Sequence, residues 1–289
     1  MDLNIQKYIA FIATIEFGSF TKAAEHLHYT QSAISRMIHA LEDDWGMALL
    51  ERNRGGVRLT SDGTQILPYA KRLVQAYDVL NAQIQEIKGL QTGLIRIGTF
   101  SSVATHWMPK IIKEFQKKYP DIAYELLLGD YQEIERWIAE GRVDCGFVSL
   151  PVAAEFEAIP LRKDELMVVM PKNNPLERYK NIPIALLEEY PFILLEKGAK
   201  SDVAELFKRY KINPKINFTT WDDYVVMSMV ESSLGLSILP NLILKRIPYD
   251  LVVRSLEIPE YREIGLAYRE KKSLSYATRT FIEYLRYID

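Results

Sequence analysis

Apolar residues recur at helical spacing from Leu3 to Glu16, where Ile5, Tyr8, Ile9, Phe11, Ile12 and Ile15 predict one buried face, and Gly18 ends the run. Ser19 is placed to cap a second, short helix from Phe20 to His26, in which Ala23 and Ala24 let a neighbouring helix cross closely and Leu27 anchors the end. Thr30 is placed to cap a third helix. Its apolar positions Ile34, Met37, Ile38, Leu41 and Trp45 follow the helical repeat as far as Gly46. The other face of that helix carries Gln31, Ser32, Ser35, Arg36 and His39. Two short runs then flank Gly55-Gly56 with Arg52, Arg54 and Arg58, a pattern that predicts a β-hairpin.

Beyond the hairpin, Ile66, Ala70, Leu73, Tyr77, Leu80, Ile84 and Ile87 alternate at spacings of four and three, the a/d seam of a helix that pairs with a second copy. Leu73, Tyr77, Leu80, Ile84 and Ile87 are the dimerisation residues this predicts; packing of the same helix on its own chain is the alternative. Pro68 should kink the helix or delay its regular start, and Gly89 with Thr92-Gly93 marks a hinge. The pattern then changes to strands alternating with helices: Leu94–Gly98, a helix to Lys118, Ile122–Leu128, a helix Gln132–Glu140 and Val143–Leu150. A second set follows, with Leu166–Met170, Phe192–Leu195, a helix Ser201–Tyr210, Ile216–Thr219, a helix Trp221–Ser233 and Leu236–Leu239. The chain returns through Ile264–Tyr268 and ends in a helix from Ser273 to Tyr287. The fold class predicted is α/β and multidomain, with a helical head, a long linker helix and a two-lobed C-terminal domain.

Composition narrows the classes. The 289 residues are 48% hydrophobic and 26% charged with both signs interspersed, which suits a compact protein of more than one core. No apolar run approaches the ~20 residues of a membrane helix, and no basic, then apolar leader opens the chain, so a cytoplasmic protein with no membrane partner is expected. Cys145 is the single cysteine, which leaves no intrachain disulfide and no CxxC zinc module; between Asp144 and Gly146 in an apolar strand it reads as a small core residue. The formal charge of −2 argues against a nucleic-acid partner if taken alone, because lysine and arginine supply most phosphate affinity.

Where the charges sit matters more than their sum. Gln bonds adenine bidentately, Arg does so with guanine, Ser adapts to base or phosphate, and backbone amides at a helix start favour phosphate. Glu42, Asp43 and Asp44 lie at the far end of the third helix, where they point away from a duplex. Taken singly, each segment reads as ordinary helical packing; the ordered series does not. Gly18-Ser19-Phe20, Ala23-Ala24, Leu27, Gln31, Ser35-Arg36, Ile38, Leu41-Glu42, Gly46, Leu49, Arg52, Leu59-Thr60 and Gly63 together resemble the DNA-binding signature of LysR-type transcriptional regulators. Ser32 stands where proline is common in that family, Trp45 where leucine is usual and Leu50 where phenylalanine is frequent, departures that bear on the operator sequence.

The resemblance implies a winged helix-turn-helix over residues 1–59, a linker helix over 60–90 and a periplasmic-binding-protein-like (type II) effector domain over 91–289. Its lobe I would comprise 91–162 and 262–289, and its lobe II 163–261. Pro109, Phe115, Tyr119-Pro120, Gly141, Val143-Asp144 and Gly235 to Pro240 match that domain's landmarks more loosely. Thr30, Gln31, Ser32, Ser35, Arg36 and His39 are the expected operator contacts, with Arg52 and Arg54 on phosphate or the minor groove. The partners implied are operator DNA, a small-molecule effector, RNA polymerase and further copies of the chain, as a dimer and then a tetramer.

Ligands of open α/β lobes bind beyond the carboxyl ends of strands, against helix N-termini. Thr99, Ser101, Ser102, Ser149, Lys197, Ser201 and Thr220 occupy such places, and Lys197 suits an anionic effector. Hydroxyls there also serve as plain N-caps. The four histidines, His26, His28, His39 and His106, form no HExxH, so no metal site is expected, and neither a phosphate loop nor a GxSxG elbow occurs. No cofactor and no enzyme activity are expected. The rival readings are a solute-binding or metabolic protein whose head only dimerises, and an enzyme with its active site in the cleft.

Overall fold

The computed structural model of the chain describes residues 4–53, 56–87, 93–196 and 201–285. It divides into two compact units, one of residues 1–90 with the short segments 139–142 and 273–276, the other of 91–138, 143–272 and 277–289.

In the first unit, helices α1 (Ile5–Glu16), α2 (Phe20–Leu27) and α3 (Gln31–Trp45) precede the hairpin strands β1 (Leu50–Asn53) and β2 (Gly56–Leu59) and the helix α4 (Ser61–Ile87). The capping residues explain the boundaries. Asn4, Ser19 and Thr30 each accept a backbone amide from the first turn of their helix, and Gly18 and Gly46 adopt positive φ after α1 and α3. The α2 end extends to Leu27 because His28 takes the left-handed cap at φ 58. Tyr8, Phe11, Phe20, Ile34, Ile38, Leu41 and Leu49 form the core. Thr60 joins hairpin to α4: its hydroxyl donates to the Ala48 carbonyl at 2.7 Å and accepts the Gly63 amide at 2.9 Å. A Cβ on Gly63 would lie 2.1 Å from the Leu49 carbonyl oxygen, so glycine is required by the close approach.

Pro68 lies inside α4, which nonetheless begins at Ser61, so the proline does not delay the helix. Its missing amide removes a single hydrogen bond from a helix of 27 residues that is also held by packing. Ile66, Leu67, Leu73 and Val74 pack against the head core, whereas Tyr77, Leu80 and Ile84 are exposed. The predicted seam therefore has two parts, and its last position, Ile87, has its side chain outside the described residues.

The second unit has two lobes. Strands β3 (Gly93–Thr99), β4 (Ile122–Leu128) and β5 (Cys145–Ser149) alternate with helices α5 (Ser101–His106), α6 (Met108–Lys118) and α7 (Tyr131–Glu140). The single helix expected up to Lys118 is broken at Trp107, with Pro109 in the first turn of α6, where its lack of an amide is harmless. The long strand β6 (Glu157–Pro171) serves both lobes. Its first part pairs antiparallel with β12 (Tyr261–Tyr268), completing the order β4-β3-β5-β12-β6.

The second part of β6 pairs with β10 (Ser237–Pro240) and with β11 (Leu251–Leu256), which in turn pairs with β7 (Asn181–Ile182). The parallel pair β8 (Pro191–Leu195) and β9 (Lys215–Thr220) joins beside β10 through the Phe192–Leu236 bridge. Helices α8 (Asp202–Tyr210) and α9 (Asp223–Glu231) cover lobe II, and α10 (Tyr276–Leu285) follows β12. Side chains of β6 alternate between two cores, Leu166, Val168 and Met170 in one and Val169 in the other. The sequence pattern shortened β6 and β12, because strands that serve both lobes lose the clean alternation of a half-buried sheet, and it missed β7, which is two residues long, and β11, whose residues are nearly all half-buried without alternation. The helix expected from Trp221 starts at Asp223, since the Asp222 carboxylate caps it.

Candidate functional site

The outer face of α3 is built by the helical repeat: Ile34, Ile38 and Leu41 go to the core, and Gln31, Ser32, Arg36 and His39 are exposed with Ser35 half-buried between them. Thr30 is committed to structure, its hydroxyl accepting the Ala33 amide at 3.2 Å. Arg36 folds back so that Nε donates to the Ser32 carbonyl at 3.3 Å, leaving its other donors outward. His39 Nδ1 lies 3.1 Å from Glu42 Oε2, while Glu42 Oε1 accepts the Leu49 and Leu50 amides at 2.8 and 3.1 Å. Glu42 is thus the tie between α3 and β1. Asp44 pairs with Lys7 at 3.3 Å. The hairpin register sets Arg52 opposite Val57 and Glu51 opposite Arg58, and Val57 donates its amide to the Gly18 carbonyl at 3.2 Å. Arg54 and the Arg52 side chain lie outside the described residues.

In the second unit, the strand ends and helix starts meet at a cavity of about 50 Å³ lined by Phe100, Ser101, Ser102, Tyr131, Ser201, Asp202, Asp223 and Arg262, among others. Arg262 is its organising residue. It is 6% exposed, stands opposite Asp164 where β12 and β6 pass between the lobes, and donates to that carboxylate from Nε at 2.9 Å and Nη2 at 2.6 Å. It also donates to the Tyr131 phenol at 2.9 Å and to Ser102 at 2.8 Å, and its guanidinium lies 4.9 Å over the Phe100 ring. Burial works against its charge, but Tyr131, Asp164 and Asp202 more than offset this and raise its pKa.

Two carboxylates from lobe II helix starts reach lobe I hydroxyls. Ser101 donates to Asp223 at 2.5 Å, and Ser149 and Tyr131 donate to the two oxygens of Asp202 at 3.2 Å each. Burial pushes the Asp202 carboxyl up, against the Arg262 charge and the hydrogen bonds from Tyr131 and Ser149 that pull it down. Burial likewise raises the Tyr131 phenol, which stays protonated and able to donate.

Of the expected effector residues, Ser101, Ser102 and Ser201 line the cavity, Ser201 also capping α8, and Ser149 reaches it through Asp202. Thr99 is fully buried with its hydroxyl on the Phe100 carbonyl, and Thr220 ends β9 with its hydroxyl near the Asp222 amide; neither lines the cavity. Lys197 lies outside the described residues. Arg262, Asp164, Asp202, Asp223 and Tyr131 were not anticipated. Asp164 lies in the charged run Arg162-Lys163-Asp164-Glu165 and Arg262 beside Glu263, so nothing local singled them out as buried. Cys145 is buried, and burial pushes its thiol up, away from reactivity.

Two family models account for most of the chain: the bacterial regulatory helix-turn-helix of the lysR family over residues 5–64 and the LysR substrate binding domain over residues 88–287. This chain belongs to the LysR family. It is a LysR-type transcriptional regulator, with a DNA-binding helix-turn-helix head and a domain that binds a small-molecule effector. It is 33% identical over 284 residues to the uncharacterized HTH-type transcriptional regulator YvbU of Bacillus subtilis, covering 97% of each chain. It is 35% identical over 267 residues to the probable HTH-type transcriptional regulator LrrA of Synechococcus elongatus, covering 92% of this chain and 90% of that one. The fold matches full-length CbnR complexed with its target DNA at a TM-score of 0.71 and 22% identity, over 98% of this chain and 99% of that one. The LysR-type relatives are transcriptional regulators, and no described helix is long and apolar enough to cross a membrane.

Proposed function

We propose that α3 reads the operator, with Gln31, Ser32, Ser35, Arg36 and His39 facing base edges and phosphates, Thr30 presenting the helix start, and Arg52 and Arg54 of the hairpin on phosphate or the minor groove. The observation that carries this is the α3 outer face: four exposed polar side chains in register, backed by a packed core and steadied by the Glu42 tie. CbnR, which shares the fold, forms a complex with its target DNA.

The head comprises residues 1–59, the linker helix 60–90 and the effector domain 91–289, with lobe I of 91–162 and 262–289 and lobe II of 163–261. Tyr77, Leu80 and Ile84, exposed on α4, join two copies, with Leu73 and Ile87 at the ends of the seam. Edge strands β4 and β9 also expose Leu126, Leu128, Ile216 and Phe218, apolar edges that suit assembly of a dimer and a tetramer. The regulator acts in the cytoplasm, contacts RNA polymerase, and performs no catalysis.

The effector enters between the lobes and displaces Asp202 and Asp223 from Ser149, Tyr131 and Ser101, since the cavity there holds little more than a few waters. Lys197 suits an anion, but the described lining residues set Asp130, Asp202 and Asp223 against one guanidinium already engaged by Asp164. A ligand with hydrogen-bond donors or a cationic group fits that balance better. It regulates only insofar as it prefers one lobe arrangement over the other. Footprinting of the full-length protein on genomic fragments at several salt concentrations tests the reading: discrete protected sites that persist as salt rises support it, and sequence-blind binding erased by salt refutes it.

A further inference from the structure

Two helices end in glutamate against their own dipoles. α1 closes on Glu16 and α7 on Glu140, and neither has a basic residue in its last turn. A carboxylate at a helix C-terminus meets the negative end of the macrodipole and is disfavoured there. One side chain of α4 answers both. Lys71, whose side chain is 13% exposed, sets Nζ 3.8 Å from Glu16 Oε1 and 3.9 Å from Glu140 Oε2. Four residues on, and so on the same face of α4, Gln75 lies against Gly141, the residue that follows α7. Gly141 has φ +71, and a Cβ there would stand 2.3 Å from Gln75 Oε1, so glycine lets the two come this close. The segment 139–142 accordingly belongs to the same compact unit as α1 and α4.

The other end of α7 lies in the cleft network. Tyr131, its first residue, is buried, donates to Asp202 at 3.2 Å and accepts from Arg262 at 2.9 Å. Ten residues make a helix about 15 Å long, and Ile134, Trp137 and Ile138 are buried along it, so it moves as one body.

We propose that α7 is the rod that carries the state of the cleft to the head, and that Lys71 is the positioning residue at which it does so. This rests on the reading that the effector acts between the lobes, and it supplies the route from there. A ligand that takes Asp202 from Tyr131 removes a lobe II anchor from the start of α7, and the shift of the helix is felt where Glu140 meets Lys71. Lys71 also holds Glu16, and α1 shares the core of Phe11, Ile34 and Ile38 with α3. Coupling of this kind needs an element with two arrangements that both sites bias. Here they are Lys71 shared between Glu140 and Glu16, and Lys71 held by Glu16 alone.

Amide hydrogen exchange on the full-length protein, read by mass spectrometry, tests the route. Tyr131→Phe removes both phenol contacts and keeps the ring, whereas Lys71→Met removes the ammonium and keeps the stem. Tyr131→Phe is expected to speed exchange at least about threefold at the start of α8, in 139–142 and in the last turn of α1. Beside Lys71→Met the response of α1 should vanish and that of α8 should remain; Glu140→Gln, which leaves the head itself untouched, should do the same. Lys71→Arg should preserve all three responses. Core amides of α3 that exchange as in wild type show that the head stays folded in each variant. An α1 response that survives both Lys71→Met and Glu140→Gln, or that is absent from Tyr131→Phe alone while α8 responds, would overturn the route and leave the cleft as the seat of the effector. Unchanged exchange at α8 in Tyr131→Phe would mean that the network does not hold the lobes, and would overturn the route together with the reading beneath it.

Discussion

The outer face of α3 and the floor of the cleft are both polar, but their polar groups are in opposite conditions. On α3, Gln31, Ser32, Arg36 and His39 are exposed to solvent, with most of their hydrogen-bonding capacity turned outward. In the cleft, Arg262, Asp164, Tyr131, Ser102, Asp202 and Ser149 are bound to one another in a continuous buried network. The first surface adds a partner at little cost to itself, whereas the second admits one only by giving up contacts it already has. A binding site on a head that must find DNA quickly can be open; a site that must report on an effector gains from having an alternative arrangement to displace. Substitutions should therefore separate cleanly, those in the cleft acting on folding and those on α3 acting on recognition.

The largest effect is expected at Arg262. Arg262→Met leaves Asp164 charged, buried and unpaired and should cost ~3–5 kcal/mol of stability in urea denaturation, most of it recovered when Asp164→Leu is added. A loss below ~1 kcal/mol would mean that the pair is solvated and the network loose. Next comes Arg36→Ala, which should weaken operator binding by ~1–3 kcal/mol and leave the thermal midpoint within the spread of ordinary surface substitutions. If instead it unfolded the head, the contrast between the two regions would fail. Ser101→Ala and Asp223→Asn form a double-mutant cycle across the cleft, and a coupling of about 1–2 kcal/mol is expected from one charge-assisted hydrogen bond.

The smallest effect concerns acidity at Asp202. Its carboxyl is raised above the usual value, chiefly by burial, so the ionised form costs stability at neutral pH and the cost is relieved as pH falls through the raised value. Asp202→Asn should therefore be at least as stable as wild type at neutral pH, with the difference closing in mild acid. A variant less stable than wild type at neutral pH would show that the hydrogen bonds from Tyr131 and Ser149 outweigh burial.

The same contrast explains what could be read from the chain itself. The α3 face is a local pattern: Ile34, Ile38 and Leu41 fix which side is buried, and the polar residues on the other side follow from the helical repeat. Caps at Ser19, Thr30 and Gly46 are local too. The cleft is not local. Arg262 meets Asp164 across 98 positions, Tyr131 across 131 and Ser102 across 160, and nothing periodic links those residues. Hydroxyls after strands were identifiable as helix starts, but whether a hydroxyl faces the cleft, as Ser101 does, or the interior, as Thr99 does, depends on how the two lobes meet. Glu42 shows the same limit within the head, for its side chain turns toward amides of Leu49 and Leu50 that only the folded loop supplies.

Everything proposed for the head depends on α3 reading bases rather than merely holding phosphate. The decisive measurement is the affinity of wild-type protein and Arg36→Ala for one footprinted operator and its full set of single-base-pair variants at fixed salt. Arg36→Ala is predicted to lose discrimination at one base pair and keep it at the others. A uniform weakening across every variant, with a shallower salt dependence and the discrimination pattern unchanged, would contradict base reading and make Arg36 a phosphate contact.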